Sequence, residues 1–336
     1  MSKSKENDMN IHDIAKKANV SIATVSRVIN GSDVVTEKTR LKVEDAIREG
    51  KYTPNVFARG LRIDSMKMIG IICTDVSDIY YANAVSVLEQ ELRIRGFDSM
   101  LCCTGNDLEE KKKSVAFLLE KRVDAIIMVG SAFLEKQDNS HLEIAAAQVP
   151  VITINGSINL PNVYCIKCDE DVIATECVKL LVESGHKKIL FMYDFDTDSS
   201  IRKRKGYIKG LYENLNEEER KKGEIIVQTE MGIDGSQNSF LDYVKNHGLP
   251  GAVLTSNDAL AVGVLKACET LDVSIPIIGY NNSILSKCTT PSLTTVDNKV
   301  EILCKDAIKT LLNVFEDKIP PQTQIVKCNL VRRSTF

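Results

Sequence analysis

The cysteines are the first side chains in this chain of 336 residues whose spacing could support metal or redox chemistry. Cys165 and Cys168 form a CxxC pair, and Cys102 and Cys103 are adjacent. A zinc ribbon needs two CxxC pairs, and only one is present. The apolar sequence around Cys165 predicts a strand, in which positions three apart point to opposite faces. We therefore interpret these cysteines as small buried apolar side chains rather than as metal ligands or redox groups.

The other residue types that could carry out catalysis do not form a recognised catalytic pattern. The four histidines never pair at HExxH spacing, and no two of the 18 glycines stand two residues apart, which excludes a GxGxxG dinucleotide fingerprint. A GxxxxGK phosphate loop and a GxSxG nucleophile elbow are also missing from the sequence. We therefore predict a protein that is not an enzyme and that needs neither a cofactor nor a metal.

Three short amphipathic helices are predicted before residue 51. Asn10, Ser21 and Thr36 stand where these helices would begin, and their side chains can cap the first turn. Apolar residues recur at helical spacing after each of them. Asn19 falls in the tight turn between the first two helices, where a residue that tolerates positive φ is needed. Pro54 then breaks the pattern, and we predict that residues 53–66 form a hinge that becomes ordered only with a partner.

From Met68 onwards, apolar strands alternate with amphipathic helices. The predicted strands are residues 68–73, 97–103, 125–129, 151–154, 188–193, 225–227, 252–255 and 277–280, and the predicted helices begin at about residues 82, 108, 141, 173, 201, 236 and 259. This alternation predicts parallel sheets with helices on both faces. More than ten such elements are too many for one typical sheet, so we predict two α/β lobes. Ligands of such sheets bind at the carboxyl ends of the strands. No run of about 18 apolar residues occurs, and we predict no transmembrane helix.

Charge is divided unevenly along the chain. The net charge is −3 overall, but residues 1–62 carry a net +4 and the remainder carries −7. Such an asymmetry indicates a nucleic-acid-binding segment at the basic end. The first residues, Met1 to Asp8, are polar and lack the pattern of a signal peptide. We therefore expect a cytoplasmic protein whose thiols are reduced.

Specific motifs occur in the right order along nearly the whole chain. In the first part they are residues 11–15 (IHDIA), 18–21 (ANVS), 24–30 (TVSRVIN), 36–40 (TEKTR), 52–55 (YTPN) and 58–61 (ARGL). In the second part they include residues 122–127 (RVDAII), 185–189 (GHKKI), 256–263 (SNDALAVG) and 291–296 (PSLTTV). From about residue 10 to 335, the chain resembles LacI/GalR-type bacterial transcription regulators. Residues 21–24 (SIAT) and 58–61 are most similar to the catabolite control protein A subgroup of that family.

The resemblance implies an α/β protein with an N-terminal helix-turn-helix head and a two-lobed core of doubly wound parallel sheets like that of periplasmic binding proteins. It implies a disordered tail at 1–9, the head at 10–52, a hinge helix and linker at 53–66, and an effector-binding and dimerisation core at 67–336. Lobe 1 would cover about 67–167 and 295–323, and lobe 2 about 168–294 and 324–336. The chain would cross between the lobes near Lys167, Thr294 and Gln324.

The head is implied to bind DNA, with the second helix in the major groove and its N-terminal residues against base edges. Arg27 can donate two hydrogen bonds to guanine, whereas Ile22 either contacts the groove or packs in the core of the head. Leu61 would act as an apolar wedge in the minor groove, or else pack within the linker. The implied DNA-binding residues are Asn10, Ile11, Ser21, Ile22, Ala23, Thr24, Ser26, Arg27, Asn30, Thr36, Thr39, Tyr52, Asn55, Ala58, Arg59 and Leu61.

Between the lobes, the resemblance implies a site for a small-molecule effector, a sugar or a similar compound. The implied effector residues are Tyr80, Tyr81, Ser131, Asn155, Lys203, Asp234, Asn257 and Asn281. Three of them depart from the family's usual residue types, since Lys203 replaces an arginine, Asn281 an aspartate and Asp234 an aromatic. The first change removes bidentate geometry and the second removes a charged acceptor. Either the effector differs from an ordinary sugar, or control comes from a protein.

Three functional hypotheses follow from these patterns. The leading one is a dimeric, sequence-specific regulator, mostly a repressor, that binds a near-palindromic operator and responds to a small effector. An alternative is a catabolite control regulator that uses a phosphorylated carrier protein as corepressor. A third is a sugar-binding protein without a DNA function.

Overall fold

The computed structural model describes residues 11–29, 34–50 and 65–336. The chain divides after Met66 into two compact units. The described residues of the first unit form helices only, whereas the second unit alternates strands and helices. The first unit is the head, and the second is called the body here.

The head is built from α1 (Ile11–Ala18), α2 (Ile22–Ile29) and α3 (Glu37–Glu49). The apolar faces of the three helices meet in a small core that contains Ile14, Val25 and Val43, all fully buried. Asn19 has a φ of 54° between α1 and α2, which confirms the predicted need for positive φ in this turn.

The helix starts in the head are capped in different ways. Ser21 Oγ accepts a hydrogen bond of 3.1 Å from the backbone N–H of Thr24, as a cap should. Thr36 precedes α3, but its side chain makes no capping bond, and its hydroxyl lies 3.0 Å from that of Thr39 instead. Asn10, the predicted tail at 1–9 and most of the predicted hinge at 53–66 lie outside the described residues.

The body contains two six-stranded sheets, and their order places sequence-distant strands side by side. The first sheet, in the order β11-β5-β4-β3-β1-β2, comprises β1 (Met68–Cys73), β2 (Asp98–Cys103), β3 (Ala125–Val129), β4 (Val151–Ile154), β5 (Val163–Cys168) and β11 (Thr323–Val326). The second, in the order β12-β10-β9-β8-β6-β7, comprises β6 (Ile189–Tyr193), β7 (Glu224–Gln228), β8 (Ala252–Thr255), β9 (Ile277–Tyr280), β10 (Thr294–Asp297) and β12 (Asn329–Val331). Strands β10 and β12 are antiparallel, and the other neighbouring pairs in these two sheets are parallel.

The chain passes between the two sheets three times, and the sheets with their helices form two lobes. It leaves the first sheet after Cys168, returns after Asp297 and leaves again between β11 and β12. The predicted crossings near Thr294 and Gln324 fall a few residues too early. Both residues lie inside strands, because Thr294 begins β10 of the second sheet and Gln324 belongs to β11 of the first.

Helices connect the strands and cover both faces of each sheet. They are α4 (Ile79–Ile94), α5 (Leu108–Glu120), α6 (Ser140–Ala146), α7 (Glu170–Glu183), α8 (Asp198–Asn214), α9 (Glu217–Gly223), α10 (Gly232–His247), α11 (Asp258–Thr270), α12 (Leu285–Cys288) and α13 (Val300–Phe315). Several begin one turn before their predicted starts, as α4 does at Ile79 rather than Ala82. Asp78 accepts hydrogen bonds from the first N–H groups of α4 and so extends this helix ahead of the apolar periodicity.

The central strands are buried on both faces, as parallel sheets require. Every residue of β3 is buried; Ile127 belongs to one apolar cluster, and Ile126 belongs to another. Cys165 and Cys168 likewise belong to different clusters, as predicted for a strand, and both are buried free thiols. No helix in the described part of the chain is long and apolar enough to span a membrane.

Candidate functional site

A cavity of about 150 Å³ lies between the two lobes. Its lining residues come directly after strands of both sheets: Ser131 lies just beyond β3, Asn155 follows β4, Asn257 lies just beyond β8 and Asn281 follows β9. The carboxyl ends of parallel strands lie at one edge of a sheet, which is where such sheets bind ligands. In the body two such edges contribute to the same cleft, and this brings polar residues from both lobes together.

Two tyrosines form the aromatic part of the lining. Asp78 accepts hydrogen bonds from the backbone N–H groups of Tyr80 (2.8 Å) and Tyr81 (3.4 Å) and thereby holds the start of α4. The two rings meet edge to face with centroids 5.3 Å apart. Burial raises the pKa of Tyr80 well above its ordinary value and raises the pKa of Tyr81 to about 12. Both phenols are therefore neutral at physiological pH.

Tyr81 lies directly against Gly130, which follows β3. Gly130 has a φ of +97°, and a Cβ atom at this position would lie 2.6 Å from Cε1 of the Tyr81 ring. A larger residue would be strained in its backbone and would displace the ring. The glycine is thus needed for the position of this aromatic wall.

Asn155 links the other tyrosine to the strand that leads out of the first lobe. Its backbone has a φ of 62°, a conformation that asparagine tolerates better than most residues. Its Nδ2 donates a hydrogen bond of 2.9 Å to the Tyr80 hydroxyl, and its Oδ1 accepts one of 3.2 Å from the backbone N–H of Cys168. The amide therefore fixes the ring and the first crossing together.

A buried ionic network lies beside the cavity, and we call it the Glu170 network. Glu170 is 0% exposed, and its carboxylate lies 3.0 Å from Arg202 Nη2 and 3.6 Å from Lys203 Nζ. Arg202 also lies 3.2 Å from Asp198. Burial raises the pKa of Asp198, and the nearby Arg202 guanidinium opposes that rise. A buried carboxylate needs such partners because desolvation of an unpaired charge is costly.

Arg202 also bonds to the first lobe and to the crossing. Its guanidinium donates hydrogen bonds of 2.8 Å to the carbonyl oxygen of Asn155 and 3.1 Å to that of Cys168. A second contact between the lobes is the hydrogen bond of 3.1 Å from the backbone N–H of Ser199 to Ser131 Oγ. The structure therefore holds the two lobes in direct polar contact at the cleft.

The ammonium group of Lys203 is engaged by the protein on several sides. It donates a hydrogen bond of 2.9 Å to the carbonyl oxygen of Ser256 and lies 3.9 Å from the centre of the Tyr280 ring. Together with Glu170, these contacts neutralise and orient the charge. Lys203 lines the cavity, but little of its bonding capacity is left for a ligand.

Several buried polar atoms of the lining have no hydrogen-bond partner within the described residues. The uncharged ones are Ser200 Oγ, Ser256 Oγ and Asn298 Oδ1, and Glu170 Oε2, which contacts Arg202 only as an ion pair, is a fourth. Unpartnered buried polar groups cost free energy, so these atoms are positions that a ligand's hydroxyl groups would satisfy.

Charged side chains give the cavity lining an acidic balance. Arg202 and Lys203 pair with Glu170, whereas the carboxylates of Asp78 and Asp194 have no ion-pair partner among the described residues and give the lining its acidic balance. The summed field of such a lining disfavours an anionic ligand.

In the head, α1, the turn at Asn19 and α2 make a helix-turn-helix unit. Arg27 is exposed on α2, and Thr24 is half-buried with its hydroxyl 2.9 Å from Ser21 Oγ. Ile22 is half-buried and packs against the core of the head, so the packing alternative accounts for at least part of its side chain.

The other predicted DNA contacts are only partly described. Thr36 is exposed and Thr39 is half-buried. The side chains of Ile11, Ala23 and Ser26, and the whole of Asn10, Asn30, Tyr52, Asn55, Ala58, Arg59 and Leu61, lie outside the described structure.

Comparison with known proteins identifies both units. Residues 10–55 match the model for bacterial regulatory proteins of the lacI family, and residues 178–336 match that for a periplasmic binding protein-like domain. An HTH-type transcriptional regulator of Lachnoclostridium phytofermentans is 45% identical over 335 residues, which cover 97% of this chain and 99% of the relative. The chain belongs to the LacI family.

Further similarities agree with this membership. Catabolite control protein A of Staphylococcus epidermidis is 30% identical to the LacI-family chain, over 85% of this chain and 86% of that protein. The structure of the lac repressor dimer bound to operator and the anti-inducer ONPF has a TM-score of 0.87 at 25% identity, covering 98% of this chain and 99% of that one. The chain is thus a LacI-family transcriptional regulator with a helix-turn-helix head and an effector-binding core.

The body of this LacI-family regulator brings together seven of the eight predicted effector residues. Those that line the cavity are Tyr80, Tyr81, Ser131, Asn155, Lys203, Asn257 and Asn281. Asp234 does not line it, because it is exposed in the first turn of α10. Met231, which precedes a positive φ of 79° at Gly232, lines the cavity instead. An apolar side chain therefore stands where the sequence predicts a polar contact.

Two of the predicted asparagines also bond within the protein. Asn257 Nδ2 donates a hydrogen bond of 3.0 Å to Asp194, and Asn281 Oδ1 accepts one of 2.9 Å from Asn298 Nδ2. Asn281 has a φ of 101°, which places it at a sharp bend after β9. These amides are pre-oriented at the cavity wall rather than free to rotate.

Sequence reasoning missed several residues of the LacI-family cleft. Glu170, Ser256 and Asn298 each come one or two residues after the end of a strand, as the predicted residues do. The expectation that ligands bind at the carboxyl ends of strands, applied to every strand, predicts these three residues as well. Arg202 had no such signal, because only the tertiary structure shows which carbonyl groups its side chain reaches.

Proposed function

We propose that this LacI-family regulator binds a near-palindromic operator as a dimer, and that a small uncharged polyhydroxylated molecule in the cleft changes its affinity for that operator. The observation that carries the effector class is the lining of the cavity. It combines two neutral tyrosines, unpartnered buried hydroxyl and amide oxygens, and an acidic balance of charge.

The DNA part of the proposal is supported by the head and by a relative of known assembly. A helix-turn-helix unit places the start of its second helix against base edges. The similar lac repressor structure is that of a dimer bound to operator. A twofold dimer presents two heads, which match two half-sites of inverted sequence. The protein would therefore act where the DNA is, in the cytoplasm.

The effector class rests on charge and on hydrogen bonding. Lys203 is the only cationic side chain in the lining among the described residues, and Glu170 and Ser256 already engage it. A phosphate or carboxylate would thus meet the carboxylates of Asp78 and Asp194 without a free cation. Hydroxyl groups can donate to Asn298 Oδ1 and exchange hydrogen bonds with Ser200 and Ser256, while sugar rings pack on tyrosine faces.

The proposal is tested by ligand binding to the purified full-length protein. Isothermal titration would compare neutral monosaccharides and disaccharides with their phosphorylated forms. Ser256→Ala probes the orphaned hydroxyl, and Ser274→Ala, outside the cavity lining, is its control. We expect a neutral sugar to bind, Ser256→Ala to weaken it and Ser274→Ala to leave it unchanged. Binding confined to phosphorylated sugars would overturn the effector class.

Operator binding is measured with DNA fragments selected from the genome by the same protein. Gel shifts with and without the bound sugar then show whether the effector changes operator affinity. If the consensus sequence of the selected DNA fragments lacked inverted symmetry, it would contradict the proposal that the protein binds its operator as a dimer. Turnover of the sugar by the purified protein would contradict the proposal that the chain is not an enzyme.

A second candidate is catabolite control, in which a phosphorylated carrier protein is the corepressor. It is supported by the 30% identity to catabolite control protein A. The same gel shifts separate the two candidates, because only this second one predicts tighter operator binding when the phosphorylated carrier is added and no response to any sugar.

A further inference from the structure

Two cysteines from neighbouring strands lie next to each other at the rim of the cleft. Cys73 ends β1 and Cys103 ends β2, and the two residues are paired in the parallel register of these strands. Their Sγ atoms are 3.8 Å apart. The following residue, Thr74, lines the cavity between the lobes. We propose that Cys73 and Cys103 form an oxidisable dithiol, which a hydroperoxide converts reversibly into an intramolecular disulfide.

The backbone separation suits such a bond. Neighbouring strands lie about 4.8 Å apart. A disulfide needs Cα atoms about 4.4–6.8 Å apart and a sulfur–sulfur distance of about 2.05 Å. Because Cys73 and Cys103 are paired across adjacent strands, the distance between their Cα atoms meets the first of these requirements. Side-chain rotation at Cys73 and Cys103 must supply the remaining approach of the two sulfur atoms.

The two thiols have different access to solvent, and this difference gives them different roles. Cys103 is exposed, whereas Cys73 is 0% exposed. Burial, together with the neighbouring Cys103, raises the pKa of the Cys73 thiol to about 12. Cys73 therefore stays protonated at physiological pH, and Cys103 is the thiol that meets an oxidant from solution.

The reaction proceeds in two steps that together reduce one hydrogen peroxide to two waters. First, the Cys103 thiolate attacks a peroxide oxygen, the O–O bond breaks, and a sulfenic acid forms as hydroxide leaves and takes up a proton. Second, the Cys73 sulfur attacks the sulfenic sulfur, the S–O bond breaks, and the hydroxyl leaves as water with the proton of the Cys73 thiol. Held proximity favours the second step despite the high pKa of Cys73.

Neighbouring cysteines supply the controls for this pairing. Cys102 precedes Cys103 but points to the other face of β2, as alternation along a strand requires. Cys288 is exposed in a different lobe, at the end of α12. Cys103→Ser removes the proposed attacking thiol. Because Cys103 is exposed, this substitution should leave folding intact.

The test treats the purified full-length protein with hydrogen peroxide, blocks free thiols with iodoacetamide and digests the protein with trypsin. Cleavage after Lys67, Arg93, Arg95 and Lys111 separates a peptide with Cys73 from one with Cys102 and Cys103. We expect mass spectrometry to find these two peptides joined, and dithiothreitol to separate them. The link should persist in Cys102→Ser and Cys288→Ser and disappear in Cys103→Ser.

Several results would overturn the proposal. One is an unlinked pair of peptides after oxidation of the wild-type protein, with Cys103 stopped at a sulfenic or sulfinic acid. Another is a link that survives in Cys103→Ser, which would assign it to Cys102. A third is a covalent dimer on a non-reducing gel that Cys103→Ser abolishes, which would make the bond intermolecular.

Discussion

Arg202 of the second lobe donates a hydrogen bond of 2.8 Å to the backbone carbonyl of Asn155 in the first lobe. The same guanidinium pairs with the fully buried Glu170. The Arg202 side chain thus joins the Glu170 network to the contact between the lobes. If the lobes opened, the Arg202 guanidinium and the Asn155 carbonyl would each lose a hydrogen-bond partner. A ligand that changes the distance between the lobes must therefore act on this contact.

Arg202→Ala is expected to destabilise the body strongly. Removing one partner of a buried ion pair leaves the other charge uncompensated and costs about 3–5 kcal/mol. Urea unfolding of the full-length protein measures the loss. Arg204→Ala is the matched control, since Arg204 stands two residues away on α8 and pairs with the more exposed Asp196. Equal losses in the two variants would contradict the role given to the Glu170 network.

Gly130→Ala is expected to cost more stability than Gly185→Ala. Both glycines have a similar positive φ, +97° and +94°, but only the added Cβ of Gly130 meets an obstacle, the Tyr81 ring. A non-glycine residue held at such a positive φ costs about 1–3 kcal/mol in the backbone at either position, and overpacking adds about 1–3 kcal/mol at Gly130. Thermal unfolding compares the two variants. In the Gly130→Ala/Tyr81→Ala double variant, the cost of overpacking should vanish because the ring is absent. If the losses of stability in the two single variants simply added up in the double variant, the contact would be refuted.

Stability at alkaline pH is expected to depend on Tyr81. The phenol ionises near pH 10 in the unfolded chain, but its pKa in the folded protein is raised to about 12. Between these values the unfolded state binds fewer protons than the folded state, so stability falls as pH rises from about 10 to 12. Melting temperatures of wild type and Tyr81→Phe across this range measure the effect. Tyr81→Phe should show the shallower decline, and parallel curves would refute the assignment.

Arg27→Ala is expected to reduce base discrimination by about 1–3 kcal/mol, as for the loss of a bidentate contact to guanine. Gel shifts on the selected operator and on variants with single substituted base pairs measure the discrimination. Lys16→Ala, an exposed basic residue on α1, is the control for a simple loss of charge. Loss of affinity to the same extent on every sequence would instead assign Arg27 to the phosphate backbone.

The amino-acid sequence by itself determined the local elements and the family. Periodicity and caps predicted β1, β3, β4, β8 and β9 with their observed bounds, because these short apolar runs record directly which segments are buried. The positive φ at Asn19 was also predictable, and so was the burial of Cys165 and Cys168 on opposite faces of their strand. Both features depend only on neighbours in the sequence.

Only the tertiary structure decided which side chains meet across the cleft and across strands. The contact of Arg202 with Asn155, the placement of Met231 rather than Asp234 at the cavity, and the proximity of Cys73 to Cys103 all depend on strand order and on the three crossings. Periodicity specifies the face of an element, but not the partner of that face. The partner is set by long-range packing of sheets and helices, which no local pattern encodes.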